Sequence, residues 1–250
     1  MKIQYASDLH LEFPENKEYL RKNPIQPFGD IMLLAGDIVL FRELHKHLDF
    51  FKYLSDNFEK TYWVPGNHEY YHFDISKKSG AVYEAILDNV FLVNNQAVTL
   101  ENSKFLLSTL WTKINPAHQW KIEKRISDFH VIKYNDHRFS THRYNELHEQ
   151  CLAFLRQELT TTENTPTVVV THHLPTFLNY PEKYKGDSLN EVFAVELFDL
   201  IESNGPDFWI YGHHHFNGSD FRIGKTLLTT NQLGYVADNE NIEFDNSKFF

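Results

Sequence analysis

The 250-residue chain has one cysteine, Cys151. No disulfide can form within it, and the sequence fits a reducing compartment. It has no apolar run near the ~18 residues that span a bilayer, so no membrane contact is expected. Met1 to Asp8 lack the apolar core of a secretory signal, so the expected location is cytoplasmic. An excess of positive charge is missing too: the formal net charge is -10. That makes long nucleic acid an unlikely partner, because a polyanion needs a basic face. A small phosphorylated substrate stays open, since a bound cation can supply positive charge locally. Repeats, low-complexity stretches and linkers are absent, and the length predicts a single domain over 1–250. Nothing points to an obligate protein partner.

What the chain has is apolar material, at 42% of residues, with 21 Phe, 13 Tyr and 4 Trp, enough for a sizeable core. It also has 15 histidines, so their positions matter. Residues 2–7 form a short β-type run ending in Asp8-Leu9-His10. Residues 11–28 read as a loop with room for one helical turn. Residues 30–35 are continuously apolar, the pattern of a strand buried on both faces, and end in Gly36-Asp37. A helical period follows over 42–60, then a strand over 62–64. That strand ends in Pro65, which cannot continue a ladder, and in Gly66-Asn67-His68-Glu69.

Further on, 76–88 reads as helix, and 90–93, 97–100 and 104–110 as three short antiparallel strands. Residues 111–141 read as an insertion or lid over the strand ends, with a short helix near 119–128. Residues 143–159 read as helix. The β-branched run 167–171 is a buried strand ending in His172-His173. A loop over 177–189 and a helix over 190–203 lead to a strand at 207–211, which ends in Gly212-His213-His214-His215. The alternation predicts an α/β fold with mixed sheets and helices packed on them.

Five β-type runs thus end in metal-capable residues, and strand ends in such folds converge on one edge. Each alone has a bland reading: Asp as a turn residue, Gly-Asn-His as an ordinary loop, His as a satisfied polar group. Together, carboxylate, amide oxygen and imidazole without thiolate suit hard or borderline divalent ions such as Mn, Fe, Zn or Ni. The set exceeds one site and suits two ions per chain sharing a carboxylate. His45, His47, His142 and His148 are expected on solvated surface.

Asp8-Leu9-His10, Gly36-Asp37, Gly66-Asn67-His68-Glu69, Thr171-His172 and Gly212-His213-His214-His215 resemble, in order, the five signature blocks of the calcineurin-like metallophosphoesterases. The resemblance implies a four-layer α/β/β/α sandwich around a di-metal centre. One ion would be held by Asp8, His10, Asp37 and His215, the other by Asp37, Asn67, His172 and His213, with Asp37 bridging. His68 would be the catalytic histidine that protonates the leaving alkoxide, and Glu69 would orient His68 or the turn. His173 and His214 would line the pocket or pack. The tail Asn231-Gln232-Leu233-Gly234-Tyr235 resembles an Asn-x-x-Gly-Tyr element of small bacterial members, beside the site.

The expected activity is metal-dependent hydrolysis of phosphomonoesters or phosphodiesters by in-line attack of a metal-bound hydroxide, with Mn the favoured metal. The two arginines by which the protein Ser/Thr phosphatases of the superfamily grip phosphate are missing from the second and third blocks, which argues against that class. Two alternatives remain: a non-catalytic scaffold that kept the fold, and a nuclease using the locally basic 121–138 stretch. Trp111, Arg125 and His130 are the candidate substrate contacts.

Overall fold

The computed structural model describes residues 1–160 and 165–250. Among the described residues, two mixed sheets and six α-helices form the body. In chain order the elements begin β1 (Ile3–Ala6), α1 (Pro14–Lys22), β2 (Ile31–Ala35), α2 (Leu48–Asn57), β3 (Lys60–Val64), β4 (Val82–Leu87) and β5 (Val90–Asn94). Next come β6 (Gln96–Leu100), β7 (Ser103–Ser108), α3 (Gln119–Arg125), α4 (Asp128–Val131), and the ribbon of β8 (Lys133–Tyr134) and β9 (His137–Arg138). The chain closes with α5 (Thr141–Thr160), β10 (Thr167–Thr171), α6 (Phe198–Asn204), β11 (Phe208–Tyr211), β12 (Phe221–Ile223) and β13 (Thr226–Thr230).

The first sheet has the order β1-β2-β3-β5-β4, parallel except for β4. The second has the order β12-β13-β11-β10-β7-β6, parallel in its middle with antiparallel strands at both edges. Side chains alternate across a strand, and that alternation builds the layers. Tyr5, Leu33 and Tyr62 of the first sheet share a core with Phe105, Leu107, Val170 and Ile210 of the second. On the opposite faces, Met32, Leu34 and Trp63 pack with Phe51 and Leu54 of α2, and Leu106, Val169 and Trp209 with Cys151 and Leu155 of α5. The result is the α/β/β/α sandwich expected. Continuously apolar strands such as Ile31–Ala35 follow from it, because both of their faces are covered.

The sheets meet at the edge that bears the strand C-termini. Ser7 bridges to Gln232, and His172 Nδ1 lies 2.9 Å from Ala35 O, each across from one sheet to the other; within the second sheet, Gly212 N donates to His172 O at 2.9 Å. The ends of β1, β2, β3, β10 and β11 are thereby gathered together.

Four local expectations are corrected. Residues 76–88 are not helical: β4 occupies 82–87, an edge strand returning against β5. Val82 and Ile86 fit either period, and a partner strand two residues away decides for the strand. The strands β5, β6 and β7 do not form one antiparallel unit. The chain leaves the first sheet after β5 through Asn95, whose φ is 49°, and only β6 and β7 pair, in the second sheet. Residues 11–28 contain more than one helical turn, since α1 starts at Pro14, a residue well suited to a first turn. In 190–203 only α6 is α-helical, because Phe193 and Val195 instead exchange backbone hydrogen bonds with Leu174.

His45 and His142 are exposed as expected, but His47 and His148 are buried; His148 Nδ1 lies 2.7 Å from Trp111 O. No helix among the described residues is long and apolar enough to cross a membrane.

Leu33 is wholly buried between the two sheets. Leu33→Ala is expected to lower the unfolding free energy by about 2–5 kcal/mol, as a loss of burial plus a cavity. Urea unfolding followed by circular dichroism checks this; a loss under about 1 kcal/mol would mean that the inter-sheet core does not hold the sheets together.

Candidate metal centre

At three of the five strand ends, those of β1, β2 and β11, candidate residues adopt a backbone that folded chains normally avoid. Asp8, His10, Asp37, His213 and His215 have φ of 55°, 47°, 55°, 81° and 49°. Left-handed conformations cost non-glycine residues about 1–2 kcal/mol each, and such strain gathers at functional sites. Two glycines make room for the cluster. A Cβ on Gly36, at φ +89°, would stand 2.3 Å from His172 Nδ1, and one on Gly66 would stand 2.2 Å from Asp37 Oδ1. These blocks carry glycine because side chains of the site fill the space where a Cβ would go.

Among the described residues, potential ligand atoms lie within 4.8 Å of one another in three sets: Asp8, His10 and His215; Asp37, His172 and His213; and His10, Glu12 and His68. The first two sets are the groups that carry the strand-end candidates. In the first, His10 Nε2 lies 3.1 Å from His215 Nε2, which is 3.4 Å from Asp8 Oδ1. In the second, His172 Nε2 lies 3.0 Å from His213 Nδ1 and 3.1 Å from Asn67 Oδ1. Asp37 Oδ2 stands between the groups, 3.8 Å from His10 Nε2 and 3.4 Å from His172 Nε2. Donors bound at about 2.1 Å to one ion stand about 3.0–3.4 Å apart. The donor spacing and the oxygen-and-imidazole chemistry therefore fit divalent cations.

A second layer fixes which atom of each side chain faces inward. The other ring nitrogens of His10, His172, His213 and His215 meet Glu12 Oε1 (3.0 Å), Ala35 O (2.9 Å), Val192 O (3.2 Å) and Glu240 Oε2 (2.6 Å). A carbonyl or carboxylate there accepts a hydrogen bond from the ring N–H and, in the neutral imidazole, leaves the lone pair on the inward nitrogen. Asp8 accepts from Ser7 Oγ at 2.5 Å and from His213 N at 3.0 Å.

His68 lies beside these two groups and shares the third set with His10 and Glu12. Its Nδ1 meets Glu12 Oε1 at 3.2 Å, its Nε2 lies 3.4 Å from the Tyr235 hydroxyl, and its ring stacks on Tyr71 with centroids 4.0 Å apart. Burial opposes protonation of His68, but the Asp37 and Glu12 charges outweigh it and raise its pKa. Burial likewise opposes ionisation of Glu12, yet hydrogen bonds from His10 and His68 hold it down at about 2.

Glu69 faces away from His68 and ties two turns together. Its Oε1 accepts from Ile38 N (2.8 Å) and Trp63 Nε1 (3.0 Å), and its Oε2 from Asp37 N (3.0 Å) and Gly66 N (2.7 Å). Burial and the neighbouring Asp37 push its carboxyl up to about 8, against donors that favour the ionised form.

The cluster floors a cavity of about 470 Å³. Asp37, Asn67 and His68 lie at its base and Tyr180, Tyr184 and Phe193 on its walls. Arg125 lines it and is the one Lys or Arg among the described residues that do. Trp111 and His130 are not brought to it. Trp111 is 2% exposed, packed on Phe139, Tyr144 and His173. His130 is exposed, its Nε2 3.2 Å from Lys124 O. Aromatic character in the insertion signalled core rather than pocket. His173 is buried against Trp111, and His214 lines the cavity. Glu12, Glu240 and Asp128 escaped the sequence reading. Glu12, two residues past His10, and Glu240, five past Tyr235, carried weak signals; Asp128 is far from any motif block.

Comparisons with known proteins bear on the family and the fold. The family model described as calcineurin-like phosphoesterase matches residues 1–217. An uncharacterised protein, L509, of Acanthamoeba polyphaga mimivirus is 31% identical over 271 aligned positions, covering 96% of this chain and 93% of the relative. The crystal structure of a phosphopantetheinyl hydrolase from Mycobacterium tuberculosis superposes with a TM-score of 0.69 at 17% identity, covering 97% of this chain and 92% of that one. That of a dimetal phosphatase from Danio rerio superposes with a TM-score of 0.53 at 15% identity, covering 100% and 91%. At these identities the two structures show a shared fold.

Glu69→Ala would leave four buried N–H groups without their acceptor, at about 1–3 kcal/mol each. A stability loss above ~3 kcal/mol is expected in urea unfolding; a loss within error would mean the turns hold their shape without it. A pH effect follows from His172 and His215. Burial opposes their protonation, but Asp37 and Asp8 carboxylates raise them to about 9 and about 10. Their folded pKa values exceed the ordinary ~6.5, so the stability they add is full below that pH and is lost as pH rises through 9 to 10. With excess chelator present, Tm should fall between about pH 6.5 and 9.5. A flat Tm over that window would refute protonation of this pair.

Proposed function

The chain belongs to the calcineurin-like phosphoesterase family, and on that premise we propose that it hydrolyses small phosphate esters with two divalent cations, Mn first among them. Asp8, His10, Asp37 and His215 would hold one cation, and Asp37, Asn67, His172 and His213 the other. The observation that carries this reading is the position of Asp37, whose Oδ2 lies within 3.8 Å of a nitrogen in each group. A shared carboxylate between two donor sets is what a paired site needs. Cations there supply Lewis acidity toward a phosphoryl oxygen and draw a nucleophile from water at neutral pH.

The remaining work falls to the chain's own side chains. Glu12 holds His68 Nδ1, which turns Nε2 toward Tyr235 and the cavity. The Asp37 and Glu12 carboxylates favour the protonated form of His68, which would give its Nε2 proton to the departing alkoxide. The ester P–O bond breaks, water supplies the new P–OH and releases its other proton, which restores His68, and the alcohol leaves neutral. Tyr71, stacked on His68, limits rotation of the ring. The aromatic walls would receive the organic part of the substrate, and Arg125 would meet an anionic or hydrogen-bonding group on it.

The test is metal analysis joined to an assay on one phosphomonoester and one phosphodiester with nitrophenyl leaving groups. About two ions per chain with turnover is the expected result for a paired site, and Asp37→Ala should abolish both. Absence of turnover with Mn, Fe, Ni and Zn would sink the proposal. His68→Ala should lower kcat by about 10²–10⁴-fold on alkyl phosphates, which leave as poor alkoxides, and much less on nitrophenyl esters. An equal loss on both would remove the proton-donor role.

A further inference from the structure

Asn67 presents a problem that imidazoles and carboxylates do not. Its amide has an oxygen end and an NH₂ end of nearly the same shape. Only the oxygen can face a cation; a rotation of half a turn would aim two N–H bonds at it instead. Something must fix the amide, and nothing in Gly66-Asn67-His68-Glu69 does so.

The fixing group comes from the insertion. Asp128, the first residue of α4, is 3% exposed. Its Oδ1 lies 2.9 Å from Asn67 Nδ2 and 2.9 Å from the Tyr71 hydroxyl. A carboxylate accepts hydrogen bonds and cannot donate them, so it selects the NH₂ end of Asn67. The amide oxygen is then left toward His172, at 3.1 Å from Nε2. The same oxygen anchors Tyr71, whose ring stacks on His68.

We propose that Asp128 is a positioning residue that makes Asn67 an oxygen ligand, so that the 111–141 segment completes the cation site it overhangs. This rests on the metal reading given above. It assigns Asp128 to the cation of Asp37, Asn67, His172 and His213, and leaves the one of Asp8, His10 and His215 untouched. Asn at 128 would keep an accepting carbonyl oxygen for Asn67 and Tyr71; Leu would keep the volume and lose the acceptor.

The experiment is calorimetric titration of Mn²⁺ into chelator-stripped, full-length protein. Asp128→Leu is expected to weaken one of two binding events by about 10–100-fold, the usual effect of losing such an outer partner, and to leave the other unchanged. Asp128→Asn should stay within about threefold of wild type for both events, well inside that range. In an Asn67→Ala background, Asp128→Leu should add no further loss, because the two residues act as a unit. Should the Leu variant fail to fold, Asp128→Ala takes its place in the same cycle. Wild-type affinity at both events in the Leu or Ala variant would overturn the assignment, as would an equal loss at both or a full additional loss in the Asn67→Ala background. Those outcomes leave the metal reading intact. Wild-type protein that binds no Mn²⁺ would overturn the metal reading and this assignment with it.

Discussion

Four N–H groups converge on the buried carboxylate of Glu69, from the turns after β2 and β3 and from the Trp63 indole. Much of the site depends on that convergence. It sets the turn that carries Asp37 against the turn that carries Asn67 and His68. A second tie runs from Asp37 Oδ1, which accepts from His68 N at 2.9 Å. Sheet pairing alone aligns β2 with β3 but does not fix the loops beyond their last paired residues. Side-chain acceptors do that here, and they do it in a place sealed from water, where an unmade hydrogen bond is expensive.

The strand ends hold strained backbone, and the sheets are what make the strain tolerable. Five candidate ligands adopt left-handed φ, and Gly36 and Gly66 leave no space for a side chain. A loop with such preferences would relax if it were free. Between two sheets tied at the same edge by Ser7 with Gln232 and by His172 with Ala35, it has nowhere to go. The donor atoms are therefore positioned before any cation arrives, and the cost of bringing like-charged and proton-sharing groups together is met by burial of the surrounding core. The raised pKa values of His172 and His215 are the other face of that arrangement: imidazoles beside carboxylates take up protons that a cation would displace.

Around this floor, the chain adds features of its own. Glu12 serves two histidines with one oxygen, while among the described residues its Oε2 has no hydrogen-bond partner. Glu240, near the end of the chain, orients His215 and accepts from Tyr235 N. Asp128 reaches in from the start of α4. These carboxylates come from three distant segments and face the outer atoms of His10, His215 and Asn67, while backbone carbonyls of Ala35 and Val192 do the same for His172 and His213. The cavity above has aromatic walls and a single lysine or arginine among its described lining residues, Arg125. Recognition of the organic part of a substrate there would rest on shape and stacking more than on charge.

The sequence by itself determined the family, the strand-end logic and the layered α/β class. Those depend on local signals: apolar runs such as 31–35 and 167–171, and polar tips with glycine at 36, 66 and 212. Short segments with two readings were decided elsewhere. Residues 82–87 became a strand because β5 lies beside them, and 193–195 left the helical path because Leu174 offered its backbone. Trp111 and His130 had the composition of a pocket, yet Trp111 went to the core and His130 to the surface; only Arg125 faces the cavity. The outer carboxylates were out of reach for the same reason. Asp128 lies 61 residues from Asn67 and Glu240 lies 25 from His215, separations with no periodicity to betray them. Hydrogen-bond partners across such distances are set by how the layers pack, and no local preference in the chain encodes them.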